Sequence, residues 1–76
     1  MELANRIRKI RETKGLTQTE VAGEINISPS AYGQIERKAA NSSYLTLCKV
    51  ADALRVSIHF LLDIKSKQFI EQKNKL

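Results

Sequence analysis

A chain of 76 residues has room for one domain with one modest core, because chains this short bury only about 60% of the surface they expose when unfolded. Thirteen Lys and Arg against eight Asp and Glu give a formal charge of +5 and a pI near 9.7, an excess that attracts phosphate-rich partners. The lone Cys48 excludes an internal disulfide, Cys48 with His59 falls short of a zinc set, and without a secretory leader or a run of ~20 apolar residues the expectation is a cytoplasmic protein with no metal and no membrane contact.

One proline and three glycines in an otherwise ordinary composition point to helices. Leu3, Ile7 and Ile10 recur at helical spacing with Arg6, Arg8, Lys9 and Arg11 largely between them, which predicts an amphipathic first helix with a basic outer face. Gly15 ends it, since glycine tolerates the left-handed geometry that follows a helix. Thr17-Gln18-Thr19-Glu20 then fits a capping box, with Leu16 and Val21 placed for a hydrophobic staple. Val21, Ala22 and Ile25 give the second helix its apolar face, and Asn26, which tolerates positive φ, stops it after barely two turns. Ser28 caps a third helix with Pro29 at its first position, and this helix runs to about Lys38. Two short helices opened by separate caps across a tight turn form a helix-turn-helix pattern.

Lys38 to Ser43 reads as a small, polar connection in which Ser42 or Ser43 caps the next helix. Tyr44, Leu47, Val50, Ala51 and Leu54 form its apolar stripe, with Cys48 as a small core residue. Arg55-Val56-Ser57 breaks the pattern, and Ser57 caps a short last helix that turns Ile58, Leu61 and Leu62 inward and leaves His59 at the surface. These elements place one domain at residues 1–64. Residues 65–76 form a tail whose Phe69 and Ile70 pack on the body or on a second subunit, or fray.

On a wheel at about 100° per residue, Ser30, Gly33, Gln34 and Arg37 share one arc of the third helix, and Ala31, Tyr32 and Ile35 lie opposite. The first arc is polar and free, so the helix suits entry into the major groove of double-stranded DNA. The Gln34 amide both donates and accepts, as bidentate contact with adenine requires. Ser30 is a shorter, less discriminating contact, and Gly33 gives clearance. Phosphate contacts flank this face at the helix starts near Gln18 and Ser28, and from Arg37, Lys38 and the loop residues Asn41, Ser42 and Ser43.

Gly15-Leu16-Thr17-Gln18-Thr19-Glu20-Val21-Ala22, then Ile27-Ser28-Pro29-Ser30-Ala31-Tyr32-Gly33-Gln34-Ile35-Glu36-Arg37, closely resembles the Cro and phage-repressor helix-turn-helix family, and the run from Leu47 to Ser57 resembles that family's fourth helix and its exit. The resemblance implies an all-α, compact five-helix lambda-repressor-like fold that acts as a homodimer on a two-fold symmetric operator. It places a phosphate contact on Gln18, base contacts on Pro29, Ser30, Gly33 and Gln34, and a structural brace between Arg11 and Glu36. The chain departs from the family pattern at Asn26 and Lys38, where glycine is usual, and lacks a proline before the fourth helix. The implied function is a transcriptional regulator, a repressor, with no enzymatic activity and no small-molecule cofactor. Its dimer seam falls on the last helix and tail, at Ile58, Phe60, Leu61 and Phe69. The alternative is an antitoxin or anti-repressor of the same fold that chiefly sequesters a protein partner.

Overall fold

Five α-helices and one 3-10 turn carry the chain in a computed structural model that describes residues 2–63. They are α1 (Leu3–Thr13), α2 (Gln18–Glu24), α3 (Pro29–Arg37), the 3-10 turn Ala39–Asn41, α4 (Tyr44–Leu54) and α5 (Ile58–Leu62). The expected tail with Phe69 and Ile70 lies outside the described residues. Among those described, no helix is long and apolar enough to cross a membrane.

Each helix after the first is opened by a hydroxyl. The Thr17 hydroxyl accepts from the Glu20 amide at 3.1 Å while the Glu20 carboxylate accepts from the Thr17 amide at 2.8 Å, closing the capping box of α2. These contacts hold the Glu20 carboxyl below its usual range, the Thr17 backbone amide contributing most. Ser28, Ser43 and Ser57 accept from the amides of Ala31, Thr46 and Phe60, and Pro29 fills the first position of α3. Such caps each contribute about 1 kcal/mol. Ser43, rather than Ser42, therefore opens α4.

The ends follow from left-handed residues: Gly15 at φ 70°, Asn26 at φ 60°, Arg55 at φ 60° and Asp63 at φ 55°. Arg55 is the departure from expectation. An arginine pays a steric penalty in this region, and it is held there because the chain must turn between α4 and α5 to bring Leu61 into the same core cluster as Leu54 and Val50.

The core joins Ile7 of α1, Val21 and Ala22 of α2, Tyr32 of α3, Val50, Ala51 and Leu54 of α4 and Leu61 of α5, all at most 1% exposed. Leu16 and Ile35 pack against this cluster from its edge. Several expectations are corrected. Tyr44 is 64% exposed because it opens α4 one turn before the cluster begins at Leu47. Ala31 is exposed and Glu36 buried, since the covered arc of α3 centres on Tyr32 and runs toward Glu36, about 40° away on the wheel. The connection after α3 is not wholly polar surface, because its 3-10 turn tucks Ala39 fully into the core. Leu61 is fully buried within the chain and cannot line a seam between subunits. Cys48, expected as a small core residue, is only half-buried and stands outside the core cluster.

Arg6, expected on an exposed basic face, instead closes α1 onto α5. Its guanidinium donates to the Phe60 and Leu61 carbonyls, with Nε at 3.1 and 3.2 Å, and lies 4.8 Å from the centre of the Phe60 ring. The carbonyl end of a helix is its negative pole, so the cation completes it.

Candidate nucleic-acid interface

The outward face of α3 is built by what anchors its inward face. Tyr32 is fully buried and Glu36 is 3% exposed, so this helix has one rotational setting in which Ser30, Gln34 and Arg37 all face solvent. The angle between α2 and α3 is fixed by the turn after Glu24. Asn26 takes the left-handed conformation and the Ile27 amide returns to the Ala22 carbonyl at 3.0 Å. Ile25 and Ile27 on either side pack against the core.

A buried polar network lies beneath this face. Arg11 grips Glu36 through two parallel hydrogen bonds, Nε to Oε2 at 2.9 Å and Nη2 to Oε1 at 3.0 Å, while its Nη1 donates to the Leu16 carbonyl at 2.9 Å. One guanidinium thus ties α1 to α3 and to the entry of α2. The Gln18 amide nitrogen donates to Glu36 Oε1 at 3.3 Å. Burial pushes the Glu36 carboxyl up most strongly, but the hydrogen bonds from Arg11 and its neighbours outweigh it and hold the group below the usual carboxylate range. The Glu36 hydrogen bond holds Arg11 correspondingly more firmly charged. The Tyr32 hydroxyl is enclosed beside the same carboxylate: burial, and then its close approach to Glu36, push it up, although no hydrogen bond of good geometry joins the two.

The residues singled out in the sequence are distributed as follows. Ser28, Pro29, Ser30, Gln34, Arg37, Lys38, Asn41 and Ser43 are all exposed along α3 and the loop after it, and Ser42 is half-buried. The hydroxyls of Ser28 and Ser43 are engaged as helix caps. Gln18 is half-buried against Glu36. Gly33 is not open clearance: it is buried, and a Cβ built on it would stand 3.3 Å from Arg37 Nη1 and 3.6 Å from Gln18 Oε1. The side chains of α2 and α3 cross over it, which a wheel of α3 alone does not show. Sequence reasoning also passed over Arg8, which lines a shallow cleft between α1 and α3 with Asn5, Glu36 and Arg37. Its spacing in α1 carries no signal for this, because the proximity depends on how the two helices cross. Among the described residues, no group of three His, Cys, Asp or Glu is placed to hold a metal ion.

Residues 7–61 match the family described as Helix-turn-helix. The chain is 33% identical over 63 residues to the HTH-type transcriptional regulator DdrOP3 of Deinococcus deserti, covering 83% of this chain and 49% of that protein. It is 40% identical over 58 residues to the immunity repressor protein of Bacillus phage phi105, covering 76% of this chain and 40% of the repressor. The antitoxin HipB of Escherichia coli strain K12 is 32% identical over 75 residues, 96% of this chain and 84% of the antitoxin. The chain thus spans about half or less of the two regulators and most of the antitoxin. No solved structure matches it at a significant level.

Proposed function

The chain belongs to the helix-turn-helix family, and on that footing we propose that it binds double-stranded DNA in a sequence-specific way and regulates transcription, as a repressor. The observation that carries this reading is the solvent-facing row Ser30, Gln34 and Arg37, on a helix whose opposite side is pinned by Tyr32 and Glu36. A rigid helix with a free polar face inserts into a groove roughly 12 Å wide without reorganising. Gln34 reads adenine through its amide, with Ser30 and Pro29 beside it at the base edges. Gln18, Arg37, Lys38, Ser28, Asn41 and Ser43 set the register on the phosphates. The names of two relatives, a transcriptional regulator and an immunity repressor, support this assignment.

One short helix reads few base pairs, so a homodimer spanning two half-sites completes the reading. Phe60, 53% exposed beside Lys9, Ile10, Thr13 and Lys14, offers the apolar centre of a seam along α5, with Ile58 at its edge. The test is an electrophoretic shift with DNA from upstream of the chain's own gene and with scrambled DNA, at two salt concentrations. Gln34→Ala is expected to cost about 1 to 3 kcal/mol on the upstream site and little on scrambled DNA. Equal losses on both would make Gln34 a backbone contact and remove the reading of sequence by α3.

The match to an antitoxin over 84% of its length favours a second reading, in which the same fold also sequesters a protein partner. A toxin gene beside this one, whose product co-purifies with the chain, distinguishes it.

A further inference from the structure

Glycine at position 33 is costly on structural grounds alone. It sits in the middle of α3, buried, with an ordinary helical backbone, and glycine there forfeits helix propensity that alanine would restore. What a methyl group would meet is not backbone or core but two polar side chain ends: Arg37 Nη1 at 3.3 Å, with Gln18 Oε1 at 3.6 Å and Nε2 at 3.9 Å. The guanidinium comes from the last turn of the same helix and the amide from the first turn of α2. Both converge on one point above the Gly33 backbone, and the Gln18 amide is held in its pose from below by Glu36.

We propose that Gly33 is a positioning residue whose missing side chain lets Gln18 and Arg37 meet over α3 and grip a single DNA backbone phosphate together. The inference rests on the DNA-binding reading above and adds which donors act as a unit. The donors Arg37 Nη1 and Gln18 Nε2 each lie within 4 Å of that point, and each N–H to oxygen contact spans about 2.9 Å, so the separate oxygens of one phosphate bridge the two. Arg37 supplies the charge, and Gln18, anchored to the carboxylate that fixes α3, supplies the register. The pair therefore locks the angle at which α3 enters the groove without itself reading sequence.

Gly33→Ala tests this, because fold and binding are expected to move in opposite directions. The added methyl recovers helix propensity, so the melting temperature rises by roughly 4 °C. The same methyl stands 3.3 Å from Arg37 Nη1, tighter than ordinary contact, and pushes the guanidinium off the point it shares with Gln18, whose own atoms at 3.6 and 3.9 Å stay in ordinary contact. Affinity falls by roughly tenfold at 0.1 M salt, equally on upstream and scrambled duplexes, and the slope of log affinity against log salt shrinks by about 1, as for one lost phosphate contact. Introduced into an Arg37→Ala background, Gly33→Ala costs little more. Unchanged affinity and salt slope in Gly33→Ala, or a loss confined to the upstream duplex, would overturn the proposal while leaving the DNA-binding reading intact. Wild-type protein that binds neither duplex would overturn both.

Discussion

Replacing Arg11 with alanine is the sharpest perturbation of this fold, because it leaves Glu36 buried without its main partner. The side chains of Arg11 and Glu36 are 10% and 4% exposed, and two short hydrogen bonds join them. Breaking a buried ion pair from one side costs about 3 to 5 kcal/mol, most of it from the uncompensated charge that remains. The Gln18 contact at 3.3 Å persists, so the lower figure, about 3 kcal/mol, is expected. A chain of this size has roughly 4 to 11 kcal/mol of stability in total. Its melting temperature, followed by circular dichroism at pH 7, should fall by about 12 to 24 °C. The pH dependence gives a second signature. In the wild type Glu36 is held below the usual carboxylate range, so its contribution is fully present above the unfolded value of about 4.3 and is lost as pH falls through the lower folded value. In the variant only burial and weaker donors remain, and a carboxyl raised by burial favours the folded state once protonated. The deficit against wild type should therefore shrink between pH 7 and pH 4.5. Arg11→Met combined with Glu36→Leu removes both charges and should recover most of the loss. A melting temperature within about 2 °C of wild type for Arg11→Ala, or a deficit that does not change with pH, would refute the reasoning.

Arg55→Gly relieves a left-handed arginine at an exposed position and should add about 0.5 to 1 kcal/mol; a lower melting temperature would show that the Arg55 side chain contributes more than its backbone costs. Arg6→Ala removes the cation from the carbonyl end of α5 and from the Phe60 ring, for a loss of about 1 to 2 kcal/mol. Its amide exchange should accelerate first in α5, and uniform acceleration across the chain would argue against a local clamp. Ser28→Ala takes away the acceptor for the Ala31 amide and should cost about 1 kcal/mol in urea unfolding, with an unchanged m-value; no loss would mean that Pro29 alone suffices to start α3.

The elements were legible because their signals are local. A hydroxyl three residues before the amide it accepts from, a proline at the first helical position, and asparagine or glycine after the last are all matters of neighbouring residues, and the helix starts at 18, 29 and 58 follow from them. Left-handed Arg55 was not legible, since no property of arginine favours that conformation and only the docking of α5 requires it. The same holds for Arg6. Its spacing in α1 predicts exposure, and its actual place depends on where the last carbonyls of α5 come to lie, fifty-four residues away along the chain in the contact with Phe60.

The candidate site divides in the same way, and the division explains why single-helix reasoning finds the outward residues but not their support. Ser30, Gln34 and Arg37 are exposed because they lie opposite Tyr32, and periodicity suffices for that. Gly33 and Glu36 sit between the two faces, where the outcome depends on what α1 and α2 bring. Glu36 is buried because Arg11 arrives from α1 to neutralise it, and Gly33 is covered because Gln18 reaches it from α2. Glu36 accepts from both Arg11 and Gln18, so the carboxylate that joins α1 to α3 also sets the pose of an amide on the outward face. Scaffold and interface thus share an atom, Glu36 Oε1. A variant such as Arg11→Met with Glu36→Leu, which restores stability, should for this reason still bind DNA less well, because Gln18 has lost the acceptor that aimed it.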